Sequence, residues 1–158
     1  DALFGSMTVV PEATVARGFG LRDAGVTSMH DATEGGVLAG LTEVASASGV
    51  GMRIDLAAIP VPPAVRAVCD HVGIDPYISI SEGTLLATVV PSRADAYVAA
   101  LADAGIDAAV VGTVTEPSEG TVLVTPEGER PLTHPGLDPF WGAFGAWAAE
   151  AAGIAERS

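Results

Sequence analysis

A chain of 158 residues is long enough to bury one ordinary hydrophobic core without disulfide or metal staples. With 49% hydrophobic and 17% charged residues it is not a disordered chain, and despite a mean hydropathy of +0.42 no apolar run has the length of a membrane span. Twenty acids face seven bases, all of them arginine, and the formal charge of −13 excludes bulk binding to phosphate backbones or anionic lipid, so neither nucleic acid nor membrane is an expected partner.

The acidic excess is spread along the chain, as in a host that keeps proteins soluble in high salt or a genome that favours Ala, Gly, Asp and Arg. The single Cys69 excludes an intrachain disulfide and a cysteine zinc site, and it fits a reducing cytoplasm. No basic leader pattern is read at the N-terminus.

In chain order, Pro11 to Asp23 is compatible with a first helix, with Val15 and Phe19 four apart. Strands are predicted near 26–30, 50–56, 84–90, 108–115 and 121–125, and helices near 36–48, 62–71 and 92–104. Val37, Leu38, Leu41, Val44 and Ala45 form the apolar stripe of the helix that Gly49 stops. Ser92 is the expected N-cap of the last of these helices, and Gly105 its stop. The alternation of strands and helices predicts an α+β fold of α/β layers, a mixed or antiparallel sheet covered by helices.

After Pro131 the texture changes. Asp138-Pro139 can cap and open a helix. Phe140, Phe144 and Trp147 then fall on one face, either packed on their own domain or docked on a further domain or subunit.

The segment Met29-His30-Asp31-Ala32-Thr33-Glu34-Gly35-Gly36 carries the most chemistry. A strand enters it and a helix leaves it, so the first helical N–H groups lack internal partners, and two glycines permit close approach of an anion. Thr33 adds a hydroxyl, and His30 and Asp31 add an imidazole and a carboxylate expected in the same turn. A plainer reading has Asp31 or Thr33 cap the helix while the glycines turn the chain. A β-branched residue at Gly36 is expected to block a phosphate and spare the fold. Among the other residues, Cys69 reads as a small core side chain, His71 as a cation at a helix C-terminus and His134 as part of an exposed turn. The three histidines have no metal-ligand spacing, so no metal site is expected in this domain.

The run Ser28-Met29-His30-Asp31-Ala32-Thr33-Glu34-Gly35-Gly36 resembles the loop of the C-terminal domain of the aminoimidazole-ribonucleotide (AIR) synthetase superfamily, and within it the hydrogenase expression/formation branch. The segments 43–51, Ile59-Pro60-Val61, 68–70, 73–76 and Ser81-Glu82-Gly83-Thr84-Leu85-Leu86 follow in the order of that branch. The likeness spans roughly Gly5 to Pro131.

The resemblance implies a domain at 1–136, an aromatic tail at 137–158 and a separate N-terminal domain that dimerises and holds most of the ATP and Mg2+ ligands. It implies ATP-dependent phosphoryl transfer to an oxygen or related atom of a small-molecule or protein substrate in a cytoplasmic homodimer. His30 and Asp31 would be catalytic, Thr33, Gly35 and Gly36 would bind phosphate, and Glu82 and Gly83 would line the substrate cleft. The isolated domain would then be inactive. The branch also carries a modified C-terminal cysteine, whereas this sequence closes on Ala155-Glu156-Arg157-Ser158 and often-basic position 34 is Glu34. A stand-alone ligand-binding or assembly domain with the same fold is the alternative.

Overall fold

The computed structural model describes residues 7–155, so the Gly5 edge of the resemblance and the closing Glu156-Arg157-Ser158 lie outside the described residues. The elements are α1 (Val10–Phe19), β1 (Val26–Ala32), α2 (Gly36–Ser48), β2 (Gly51–Asp55), α3 (Pro63–Val72), β3 (Thr84–Val89), α4 (Ala94–Asp103), β4 (Gly112–Thr115), β5 (Thr121–Thr125), β6 (Gly128–Pro131) and α5 (Pro139–Ala155).

The strands divide between two sheets. One is mixed, in the order β4-β2-β5-β6, with β2 antiparallel to β4 and parallel to β5. The other is a two-stranded antiparallel ladder of β1 and β3, with His30 opposite Leu86 and Asp31 opposite Leu85.

Helix α2 explains the division. Its stripe is unusually wide: every residue from Gly36 to Leu41 is buried, as are Val44 and Ala45. A helix that is apolar nearly all round needs cover on more than one side. Its leucines and valines pack with Met52 and Ile54 of β2 and Leu123 of β5. Gly40 lies against the ladder, where a Cβ would come within 2.8 Å of Leu86 Cδ1 and 3.0 Å of Ala32 Cβ. A second cluster joins α1 and α4 to the Val26–Val89 end of the ladder through Ala16, Tyr97 and Leu101.

Several expectations change in detail. The first helix stops at Phe19, and residues 22–24 form a short 3-10 turn. The strand predicted over 108–115 is confined to Gly112–Thr115, and β6 is additional. Ser92 does not cap α4: residues 91–93 form a 3-10 turn, and the N-cap is Arg93 with no side-chain bond. The tail does form a helix, but its aromatic face is uncovered, with Trp141, Phe144 and Trp147 exposed and Phe140 half-buried. Within the described residues no helix is long and apolar enough to cross a membrane.

Candidate functional site

The loop at the β1–α2 junction is shorter than its sequence suggests, because β1 continues through Ala32. His30 and Asp31 therefore belong to the strand and, by its alternation, point to opposite faces. The expectation that they share one turn is corrected on that ground. His30 is half-buried on the side of α2, while Asp31 is exposed. Neither Asp31 nor Thr33 caps the helix. The N-cap is Gly35, in the left-handed region at φ 74°, with no side-chain cap.

The glycine pair is held by protein groups. The Gly35 N–H donates to Asp138 Oδ2 at 2.7 Å, a contact across 103 residues of chain. The Gly36 N–H donates to the Thr33 carbonyl at 3.2 Å, and the Leu38 N–H to the Tyr77 carbonyl at 3.0 Å. Gly36 faces the backbone of residues 77–79, where a Cβ would lie 2.7 Å from the carbonyl oxygens of Tyr77 and Ser79. The reason for a glycine here is thus the fold itself. The expectation that a bulkier residue would spare the fold is overturned.

The two loops singled out in the sequence do meet. Ser81 donates its N–H to the Thr33 carbonyl at 3.2 Å and its hydroxyl to the Ala32 carbonyl at 3.0 Å. These bonds set the Glu82-Gly83 turn beside Thr33, with Glu82 exposed and Thr84 opposite Ala32 in the ladder.

Sequence reasoning missed two partners. His30 Nε2 lies 2.7 Å from Glu43 Oε2 on α2, and Glu43 Oε1 lies 3.5 Å from His134 Nε2. His134 Nδ1 accepts the Gly136 N–H at 3.1 Å, which leaves the ring proton on Nε2, facing Glu43. The carboxylate holds the His30 ring at hydrogen-bond distance, and the His134 ring lies at ion-pair distance from its other oxygen. Glu43 and His134 also line an open cleft of about 650 Å³, together with Ser46, Thr121 and Thr133. Nothing in the periodicity distinguishes Glu43 from an ordinary solvent-facing helix acid. His134 does lie in an exposed turn, as expected, but the turn folds back onto α2.

The remaining singled-out residues lie elsewhere. Cys69 is buried in α3, and burial, reinforced by the nearby Asp70, pushes its thiol pKa up. His71 is in the last turn of α3. Within the described residues no group of three His, Cys, Asp or Glu side chains is arranged to hold a metal ion.

Residues 10–125 match the family described as AIR synthase related protein, C-terminal domain. The chain belongs to that family. The carbamoyl dehydratase HypE of Escherichia coli (strain K12) is 44% identical over 124 residues, which are 76% of this chain and 37% of that protein. A crystal structure of E. coli HypE superposes with a TM-score of 0.70 at 37% identity, over 83% of this chain and 40% of that one. A hydrogenase maturation protein HypE in complex with ATP superposes with a TM-score of 0.63 at 30% identity, over 72% and 37% of the two chains. A HypE–HypF complex aligns with a TM-score of 0.59 at 28% identity, over 70% and 37%. The chain therefore spans about two fifths of the length of these relatives. Its AIR-synthase-related match ends before Asp138 and α5.

Proposed function

We propose that this domain is the C-terminal portion of a HypE-like maturation enzyme that uses ATP to dehydrate a carbamoyl group. The observation that carries the reading is the match over residues 10–125, joined to 44% identity with a protein named for that reaction. The ATP-bound relative supplies the co-substrate. Removing water from a carbamoyl group requires its oxygen to leave, and oxygen alone is a poor leaving group. Transfer of the γ-phosphoryl group to that oxygen releases ADP. Loss of phosphate with the two nitrogen protons then leaves a C≡N group. Such transfer depends mainly on positioning and charge stabilisation.

In this reading the domain works with an N-terminal ATP-binding domain, as a cytoplasmic homodimer, and a HypF-like protein is a candidate partner. The boundary between domain and tail lies near residue 136. Mg2+ would be held mainly by the N-terminal domain, as the family resemblance implies. His30, oriented by Glu43, and Asp31 on the opposite strand face are the candidate catalytic groups. Glu82 and Gly83 line the substrate cleft, and Thr33, Gly35 and Gly36 form the phosphate loop. Support for the loop comes from Gly35 itself, whose amide already binds the oxygen of an anion, the Asp138 carboxylate. Cys69, buried in α3, does not take the place of the modified C-terminal cysteine of the branch.

The test is a fusion of this chain behind the N-terminal portion of E. coli HypE, assayed for ATP-dependent phosphate release. The fusion should turn over ATP faster than the N-terminal portion alone, and Asp31→Asn or Glu82→Gln should lower the rate at unchanged melting temperature. Equal rates with and without this domain would overturn the proposal.

A further inference from the structure

The AIR-synthase-related match ends at residue 125, yet the most buried acid of the described chain lies beyond it. Asp138 is 3% exposed. Its Oδ2 accepts the Gly35 N–H at 2.7 Å, and its Oδ1 accepts the Phe140 N–H at 2.8 Å. One carboxylate thus caps α5 and occupies the amide at the head of α2. Pro135 and His134 approach the same glycine, at 3.7 Å and 4.0 Å from the position of a Cβ on Gly35.

Between Leu132 and Glu150 the other anchors are few, His134 beside Glu43 among them. Leu132 is buried, and its N–H donates to the Thr121 carbonyl at 2.8 Å. Between Leu132 and Glu150, Asp138 is the one buried residue, and its neighbour Leu137 is 85% exposed. From Pro139 to Glu150 no residue of α5 is buried, and such a stretch has little to lose on release.

We propose that the tail is a built-in anion that closes the Gly-rich loop: Asp138 occupies the Gly35 amide, and a phosphoryl group gains that amide only when the carboxylate leaves. Two anions cannot share one N–H, and Asp138 and Glu34 together repel a second negative charge. The tail therefore sets the loop's affinity as a competitor tethered to the same chain. This rests on the phosphate-loop reading proposed above.

The experiment is a titration of the 15N-labelled 158-residue protein with inorganic phosphate and, separately, ATP, following the Gly35 and Gly36 amides. Wild type is compared with Asp138→Ala and with Asp138→Asn, whose single amide oxygen can still accept the Phe140 N–H and keep the α5 cap while the charge and the second acceptor are lost. Leu137→Ala serves as the neighbouring control. In wild type and Leu137→Ala both glycine signals should stay fixed. In the Asp138 variants at least one probe should move them, with an apparent affinity about tenfold or more above wild type, the size expected when a charge-assisted bond no longer competes. Equal movement in wild type and variants would overturn the plug and leave the phosphate loop standing. Glycine signals that stay fixed in every well-dispersed spectrum would overturn the phosphate loop and the plug together.

Discussion

Replacing Gly36 by alanine separates a glycine kept for the fold from one kept for a ligand. Gly36 has φ +66°, and a Cβ there would lie 2.7 Å from two backbone carbonyl oxygens and 2.9 Å from the Ser79 nitrogen. Those atoms cannot swing aside like a side-chain end. Ser79 is 4% exposed, and the Tyr77 carbonyl is bonded to the Leu38 N–H. The left-handed backbone alone costs alanine about 1–2 kcal/mol. Displacing the 77–79 segment breaks the Leu38–Tyr77 bond and strands buried polar groups at roughly 1–3 kcal/mol. The sum is about 3 kcal/mol, or a fall in melting temperature of roughly 6–12 °C for a chain of this size. Gly49→Ala is the matched control: it has φ +63° and no heavy atom within 4 Å of the added carbon. It should cost only the backbone contribution, about 1–2 kcal/mol. Urea and thermal unfolding followed by circular dichroism measure both variants. If Gly36→Ala and Gly49→Ala prove equally stable, the close approach of residues 77–79 is not what requires glycine at 36, and a ligand becomes the better reason.

Leu123, fully buried in β5 among Met52, Ile54 and the α2 stripe, should cost about 3–4 kcal/mol on replacement by alanine, read from urea unfolding. Cys69, with its thiol pKa pushed up by burial, should react with a disulfide reagent far more slowly in native protein at pH 8 than in urea; equal rates would show an accessible thiol. Arg53 donates to both oxygens of Glu129, one bond at 2.7 Å, and this pairing lowers the Glu129 pKa. A lowered carboxylate contributes stability above its unfolded pKa of about 4.3 and loses it as pH falls through the folded value. The stability gap between wild type and Glu129→Gln should therefore be open at pH 7, narrow below about pH 4 and shrink in added salt, since the pair is exposed; a gap constant with pH would refute the pairing.

Much of the layered plan was legible in the residues alone. The α2 stripe from Val37 to Ala45, its stop at Gly49 and the apolar runs of β3 and β5 are local signals, written in periodicity and propensity, and each appears where expected. The burial of Cys69 follows from the same kind of pattern. The partition into two sheets was not local. It depends on α2 being buried on two sides, which only the positions of Leu86 and Leu123 around it decide. Strand β6 was missed because Gly-Glu-Arg-Pro has no apolar alternation, and it forms because β5 offers it an open edge. The candidate site divides in the same way. Its residue types and its strand–glycine–helix order are sequence properties. Extension of β1 through Ala32 turned His30 and Asp31 to opposite faces, since side chains alternate along a strand. The pairing of His30 with Glu43, thirteen residues on, and of Gly35 with Asp138, 103 residues on, belongs to tertiary structure. No local pattern encodes which buried oxygen meets which amide; chain-distant packing brings those atoms within hydrogen-bond reach.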